Sequence, residues 1–298
     1  MREHDEFLAR VTAIGQQHDV PPEQITEVAG GVANRGFVLG EAFFLRVARP
    51  GFEDDLRKEA GVVPVARSAG VLTPTIIQYD DSRELIDAPY VVMDRIHGIE
   101  HPGAPVGLAE QLARLHRVER TDIPGVPQDD GGDPWLTVDA LAERGYLDLG
   151  TAKWLSGWFT RLSDRFDRHE PRVLIHGDVA AHNLLAGPDG ELRALIDWGD
   201  AAWAPRTMDF AKLPLDHVAA ILPDYIRALR TSHPEQHLAD EDELAAATLW
   251  FHLHWALGKL TATPWPGQRH WTAPPASRLL ALLKFFATTP PAPWSTLT

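Results

Sequence analysis

The sequence predicts an α+β protein of two lobes, a small β-rich N-terminal lobe over residues 1–98 and a larger, mostly helical C-terminal lobe over residues 99–298. Three observations carry this. Short β-branched and aromatic runs punctuated by glycine crowd into the first third of the chain. Beyond Gly98, apolar residues recur at helical spacing instead. All ten tryptophans lie at or after Trp135, so the two parts need different cores.

The elements follow in chain order. "MREHDEFLARVTAIG" reads as an amphipathic helix; it lacks the basic start and apolar centre of a signal peptide. Residues 25–49, "ITEVAGGVANRGFVLGEAFFLRVAR", read as three short strands with tight connections. "GFEDDLRKEAGVVPVARSAG" reads as a helix, with an interruption expected near Pro64. "TPTIIQYD" and "APYVVMDRI" give two more strands. Leu108, Leu112 and Leu115 form a helical stripe, "QDDGGDPW" a loop, and residues 135–145 and 151–168 two helices. Leu244, Ala247, Phe251, Trp255 and Gly258 mark a further helix, and Leu279, Leu282, Leu283 and Phe286 a last one. The proline-rich tail "TTPPAPWSTLT" is expected to be irregular.

Composition narrows the function classes. The 298 residues suffice for one large domain or two moderate ones, and 44% hydrophobic with 23% charged residues is ordinary for a globular chain. No run of about 18 apolar residues occurs, so no membrane span is expected. The absence of cysteine excludes disulfides and thiolate metal sites and fits a cytoplasmic location. The net charge is −14, with acid in excess on both sides of Gly98, which leaves no basic surface for nucleic acid. Such a charge mainly keeps a protein soluble, and it also suits cationic partners.

The chemistry concentrates between Val173 and Ala201, "VLIHGDVAAHNLLAGPDGELRALIDWGDA". "RVLI" is a short buried strand; "NLLA" and "LRALI" are two more, joined by the turn sequence "GPDGE". A hairpin centred on Gly190 sets Asn183 beside Asp197, within a register error of about two residues. Asp178 precedes Asn183 on the loop that enters the hairpin. Asn and Asp oxygens held together suit a hard cation such as Mg²⁺. Asp178 is then free to accept a proton. Two other readings stand beside this one: a polar turn whose aspartates cap their own backbone, and a metallohydrolase with His176, Asp178, His182 and Asp197 as ligands.

"HGDVAAHN" followed by "LIDWGDA" resembles the aminoglycoside phosphotransferase family, small-molecule kinases of protein-kinase-like fold, over roughly Val28 to Phe210. The resemblance implies that Asp178 is the catalytic residue, orienting and deprotonating the acceptor hydroxyl. It implies that Asn183 and Asp197 bind Mg²⁺, that His176 supports the loop, and that Asp209 braces it. His182 reads as a loop residue. In the same frame "GGVANRGFVLG" resembles the strand–turn–strand that covers ATP phosphates, with Gly30 and Gly31 allowing close backbone approach. Arg46 stands where such kinases usually carry a phosphate-binding lysine, and Glu59 where its ion-pair partner would be. "APYVVMDRIHG" resembles the connection between lobes: Met93 would abut the purine, and the Asp94 carbonyl and Ile96 amide would bond the adenine edge. Residues 1–98 would thus bind nucleotide, and residues 99–298 would carry the catalytic loop and the acceptor site.

The expected activity is transfer of the γ-phosphoryl group of ATP, with Mg²⁺, to a hydroxyl of a small molecule. An aminoglycoside or another cationic antibiotic leads among acceptors, with antibiotic resistance as the consequence. A cyclic peptide antibiotic, a macrolide, an amino alcohol or a sugar is the alternative. Asp200, Asp129, Asp130 and Asp133, with the run Asp240 to Glu243, come from loops that could supply an acidic acceptor cleft. A nucleotide-binding pseudokinase is the rival from another class, and Arg46 is the one feature that favours it. His252 and His254, at i and i+2 on a helix, point different ways and read as packing or acceptor-wall residues. Trp250, Trp255, Trp265 and Trp271 read first as core, with one or two available as an aromatic wall.

Overall fold

The computed structural model describes residues 2–29, 31–101, 103–232, 240–263 and 274–297. Gly30, Trp265 and Trp271 lie outside the described residues. The chain divides into two compact units: residues 1–107, 117–127 and 176–202 form the first, and residues 108–116, 128–175 and 203–298 the second. This differs from a single cut at Gly98. The hairpin after Ile175 is grouped with the N-terminal strands because its backbone bonds to that part: Leu195 N–H donates to Leu72 O at 2.8 Å, and Leu192 N–H to Val106 O at 2.9 Å.

In the first unit, helix α1 (Arg2–Gln17) precedes the strands β1 (Ile25–Val28), β2 (Asn34–Leu39) and β3 (Phe43–Ala48). Helix α2 (Glu53–Ser68) follows, then β4 (Ile76–Asp80) and β5 (Tyr90–Asp94). They form one antiparallel sheet in the order β1-β2-β3-β5-β4. Alternation of apolar residues buries Phe37, Leu39, Leu45, Val47 and Val92 with Val11 and Ile14 of α1. Ala48, Leu56, Val91 and Met93 pack as a second cluster, with Phe44 and Ala60 against it. Helix α2 is not interrupted at Pro64, contrary to the sequence expectation. Pro64 is exposed, and Ser68 Oγ donates to its carbonyl at 2.8 Å. A proline N forfeits only its own bond to the preceding turn, and the buried face of Leu56, Val62, Val63 and Ala66 holds the helix together.

A second sheet of the first unit has the order β6-β8-β9, from β6 (Ile99–Glu100), β8 (Leu184–Ala186) and β9 (Leu192–Leu195). The hairpin pairs Leu184 with Leu195 and Leu185 with Ala194, one residue off the expected register; a bulge then sets Ala186 against Leu192.

The second unit is helical: α3 (Leu108–Leu115), α4 (Pro134–Glu143), α5 (Leu149–Ser163), α6 (Leu215–Ser232), α7 (Glu241–Gly258) and α8 (Ser277–Phe286). The strand β7 (Val173–Ile175) pairs with β10 (Ala202–Ala204). Helices α4 and α5 begin and end earlier than the sequence suggested because Asp133 and Asp148 cap them. Trp250 centres the aromatic core, with Trp135, Phe159, Phe166, Phe251 and His254 around it. The tail is anchored rather than loose: Trp294 is fully buried, its Nε1–H donates to Leu215 O at 2.9 Å, and it opens a 3₁₀ turn, Trp294–Thr296. Among the described residues no helix is long and apolar enough to cross a membrane.

Candidate active site

The candidate residues of the first unit converge on the two ends of the β8–β9 hairpin. Val179 and Ala180 are buried and lead into a 3₁₀ turn, Ala181–Asn183, so Asn183 sits just before β8 rather than at its start. Its side chain is buried, and Nδ2 donates to Asp178 O at 2.9 Å and to Asp178 Oδ2 at 2.8 Å. The amide's carbonyl oxygen is left to face another donor or a cation. Ile196 N–H donates to Asn183 O at 3.1 Å, which places Asp197 one residue beyond Asn183's partner. Asp178 is partly exposed, with His182 Nε2 at 3.3 Å from Oδ2. Sequence reasoning assigned His182 no role; the i, i+4 spacing was the available signal.

His176 is fully buried beneath the loop. Its Nε2 pairs with Ile196 O at 3.0 Å, its ring lies 4.5 Å from that of Trp198, and Asp178 N–H reaches its Nδ1 at 3.3 Å. It ties the loop before β8 to the segment after β9. Gly177 takes φ 80°, and the Asp200 carbonyl occupies the space a Cβ would need, so a side chain there would be strained on both counts.

Asp197 also has a left-handed backbone, φ 66°. Asp and Asn tolerate this better than other side chains. Trp198 fixes the turn: its amide donates to Glu59 Oε1 at 3.3 Å, and its buried indole N–H to Thr73 Oγ1 at 2.9 Å. Arg46 of β3 completes the cluster. Nη1 donates to Glu59 Oε1 and Nη2 to Asp197 Oδ1, each at 2.6 Å. Glu59 is 3% exposed and Arg46 12%, while Asp197 is 47% exposed, so one carboxylate oxygen of Asp197 still meets solvent. Burial alone would discharge these groups. It raises the Glu59 pKa despite Arg46; for Arg46 it is outweighed by Asp197 and Glu59, which hold the guanidinium charged. Burial likewise opposes the charge on Asp197, but Arg46 prevails and its pKa is lowered.

The remaining candidates separate. Gly31 packs tightly, since a Cβ there would collide with the Asn34 carbonyl. Met93 is 5% exposed and its side chain belongs to the core cluster with Leu56. Asp94 ends β5, its N–H donating to Thr75 O at 2.9 Å, and Ile96 follows outside any strand. Asp200 is exposed at the end of the turn after Asp197. Asp129, Asp130 and Asp133 belong to the second unit and serve their own loop: they accept from Gly131 N, Gly132 N and Trp135 N at 2.8, 3.0 and 2.8 Å. Asp240 and Glu243 form a capping box at the start of α7. His252 Nε2 pairs with Leu213 O at 2.7 Å and His254 Nε2 with Thr137 Oγ1 at 2.8 Å, so both are packing residues. Asp209, also in the second unit, is buried with Oδ2 3.0 Å from His116 Nε2, whose Nδ1 meets Tyr225 OH at 2.6 Å. Among the described residues no three His, Cys, Asp or Glu side chains form a metal-binding group, which leaves the four-ligand metallohydrolase arrangement without support.

Known structures share this fold. The GDP complex of wild-type aminoglycoside 2'-phosphotransferase-IIIa is 19% identical, with 93% of this chain and 97% of that one covered and a TM-score of 0.66. The macrolide 2'-phosphotransferase MphH from Brachybacterium faecium is 16% identical, covering 85% and 91%, at a TM-score of 0.64. The streptomycin–ATP ternary complex of APH(2")-IIa is 14% identical, covering 84% and 89%, at 0.59. The fold is therefore protein-kinase-like, with a sheet-rich N-terminal part and a helical C-terminal part. No curated protein matches the chain. The model of the phosphotransferase enzyme family, APH, matches residues 24–239, well over half of the sequence, and the chain belongs to that family. It is a phosphotransferase.

Proposed function

We propose that the protein transfers the γ-phosphoryl group of ATP to a hydroxyl of a small cationic antibiotic. The observation that carries this reading is the cluster on one hairpin: Asp178 bonded to Asn183 at 2.8 Å, with Arg46 spanning Glu59 and Asp197 at 2.6 Å each. Asp178, partly exposed and with its backbone fixed by Asn183 and His176, accepts the proton of the acceptor hydroxyl. Asn183 fixes one oxygen of that carboxylate, so the other is presented to the acceptor. Arg46 neutralises charge on the nucleotide phosphates, and Glu59 and Asp197 hold its guanidinium flat between them.

The donor set fits Mg²⁺. Asn183 keeps its amide oxygen and Asp197 one carboxylate oxygen, both hard donors. Two protein ligands supplemented by phosphate oxygens are what this ion commonly takes. When bound it would bridge and neutralise the phosphate oxygens as charge shifts toward the leaving group. Gly30, Gly31, Asp94 and Ile96 are proposed to approach the nucleotide by their backbone. The core position of Met93 reduces its side chain to, at most, an edge beneath the base.

ATP and aminoglycoside are bound by the structural neighbour APH(2")-IIa in its ternary complex, and that supports both substrate classes here. The acidic chain supports a cationic acceptor. The acceptor contacts assigned to Asp129, Asp130 and Asp133 lose weight, because their oxygens serve local turns. The test is ATP consumption against aminoglycosides, cationic peptide antibiotics, macrolides and amino alcohols. Turnover with a cationic antibiotic, lost in Asp178→Asn, is expected; turnover with none of them would sink the proposal.

A further inference from the structure

The second unit contains a cavity of about 240 Å³ that the phosphotransfer reading does not use. Three separate segments wall it: the loop Phe166 to Arg172, the turn after β10 with Pro205 and Thr207, and α7 with Trp250 and Phe251. Thr207 and Trp250 are each 1% exposed, and Thr207 Oγ1 and Trp250 Nε1 are buried without a hydrogen-bond partner among the described residues. Arg172 Nη1 is a third such atom on the same wall. A buried polar group left unpaired costs on the order of 1–3 kcal/mol, so three on one cavity is a concentration that folding alone does not explain.

Their chemistry is one-sided. An indole N–H and a guanidinium N–H can only donate, and a hydroxyl can donate as well. The ligand must therefore bring acceptor atoms. Charge points the same way. Glu170, also on the wall, already accepts from Arg206 Nε at 3.0 Å, so the positive charge of Arg172 is shared with an occupied carboxylate. Arg168 adds a second cation at the border, 5.4 Å over the Trp250 ring. Asp130 and Asp167 are exposed and each spends an oxygen on a nearby loop amide, at 3.0 and 2.8 Å. The cavity exceeds the roughly 30 Å³ that one water occupies in the liquid, and Phe166, Trp250, Phe251 and Pro205 supply apolar wall.

We infer that this cavity is a binding site for a small organic acid, whose carboxylate accepts from Arg172, Thr207 and Trp250 and whose body packs on the aromatic wall. The inference is independent of the phosphotransfer chemistry. The experiment uses the full-length protein with benzoate as probe, followed by calorimetry and tryptophan emission, beside benzamide, acetate and inorganic phosphate. Benzoate is expected to bind at one site with a Kd below about 1 mM. Benzamide, without the charge, and acetate, without the body, should each bind at least tenfold more weakly. Thr207→Val and Arg172→Met should each weaken benzoate at least tenfold. Thr207→Ser should restore it, and Asp178→Asn should leave it unchanged. Circular dichroism checks that the variants fold; if Arg172→Met does not, the valine and serine pair decides alone. Saturation by phosphate in place of benzoate, equal binding of benzamide, or benzoate affinity indifferent to Thr207→Val would each overturn the inference. So would the absence of any benzoate binding, which would leave the cavity to water.

Discussion

At the scale of single residues, Arg46 does more than replace a lysine. Its two terminal nitrogens serve two carboxylates at once, which one ammonium point charge does less well. Removing it leaves Glu59 buried beside nothing that neutralises it. Arg46→Met should therefore destabilise the fold by about 3–5 kcal/mol, read as a shift of the urea midpoint. A change below 1 kcal/mol would show that Glu59 simply takes up a proton. Asp178→Asn should lower kcat by about 10²–10⁴ while nucleotide affinity holds. Near-normal turnover in that variant would exclude Asp178 from proton transfer. The sequence made Asp178, Asn183 and Asp197 legible because their spacing about a glycine turn fixes a hairpin register to within a residue. It did not reveal that Arg46 would bond Asp197, 151 residues away, nor the hydrogen bond from Trp198 to Thr73. Such pairings depend on which strand lies beside which, and no local period encodes that.

At the scale of elements, helices with an uninterrupted apolar stripe were legible and α6 was not. Leu215, Val218, Leu222, Tyr225, Ile226 and Leu229 do form a buried stripe, but Pro223 in its middle reads as a breaker. Packing against α3 overrides it. The acidic loops were misjudged for the opposite reason. Aspartates near glycine suggested a charged cleft, whereas their oxygens close turns and cap helices. Asp133→Ala should accordingly cost about 1 kcal/mol of stability through the lost cap on α4 and leave the acceptor KM unchanged. A raised KM with unaltered stability would restore Asp133 to the acceptor site. Helix α7 carries a pH dependence of its own. His252 is buried with its pKa pushed down to about 4, chiefly by burial, while Arg278 adds to the effect and the Leu213 carbonyl opposes it. An unfolded histidine titrates near 6.5, so between these values the unfolded chain binds a proton that the folded chain does not. This contribution is full above about pH 6.5 and falls away as pH drops toward 4, by up to roughly 3 kcal/mol. Urea midpoints at pH 7 and pH 5 should differ less in His252→Gln than in the native protein; equal differences would remove His252 as the cause.

For the whole molecule, the net charge of −14 is the property that reaches furthest beyond the surface. It should speed the approach of a polycationic acceptor and lose that effect as salt shortens the screening length to about 8 Å at physiological strength. The apparent KM for an aminoglycoside should rise between low and high ionic strength, while that for a neutral macrolide stays level. Parallel behaviour of the two would assign acceptor choice to packing instead. The two-lobed class was readable from composition alone, because strand-forming and tryptophan-bearing segments are segregated along the chain. The grouping of the catalytic hairpin with the N-terminal sheet was not readable, since it rests on backbone bonds to Leu72 and Val106.

The left-handed backbone at Asp197 also limits how this chain can change over generations. Most replacements there meet two obstacles together, a lost oxygen ligand and a conformation the newcomer resists. Asparagine meets only the first, because it accepts positive φ nearly as readily as aspartate. A lineage that gave up phosphoryl transfer would thus pass most easily through Asp197→Asn, keeping a folded protein with the oxygen donor but without its charge. Descendants fixed in that state would look intact in every other respect, and the single amide would be the mark of their retirement from catalysis.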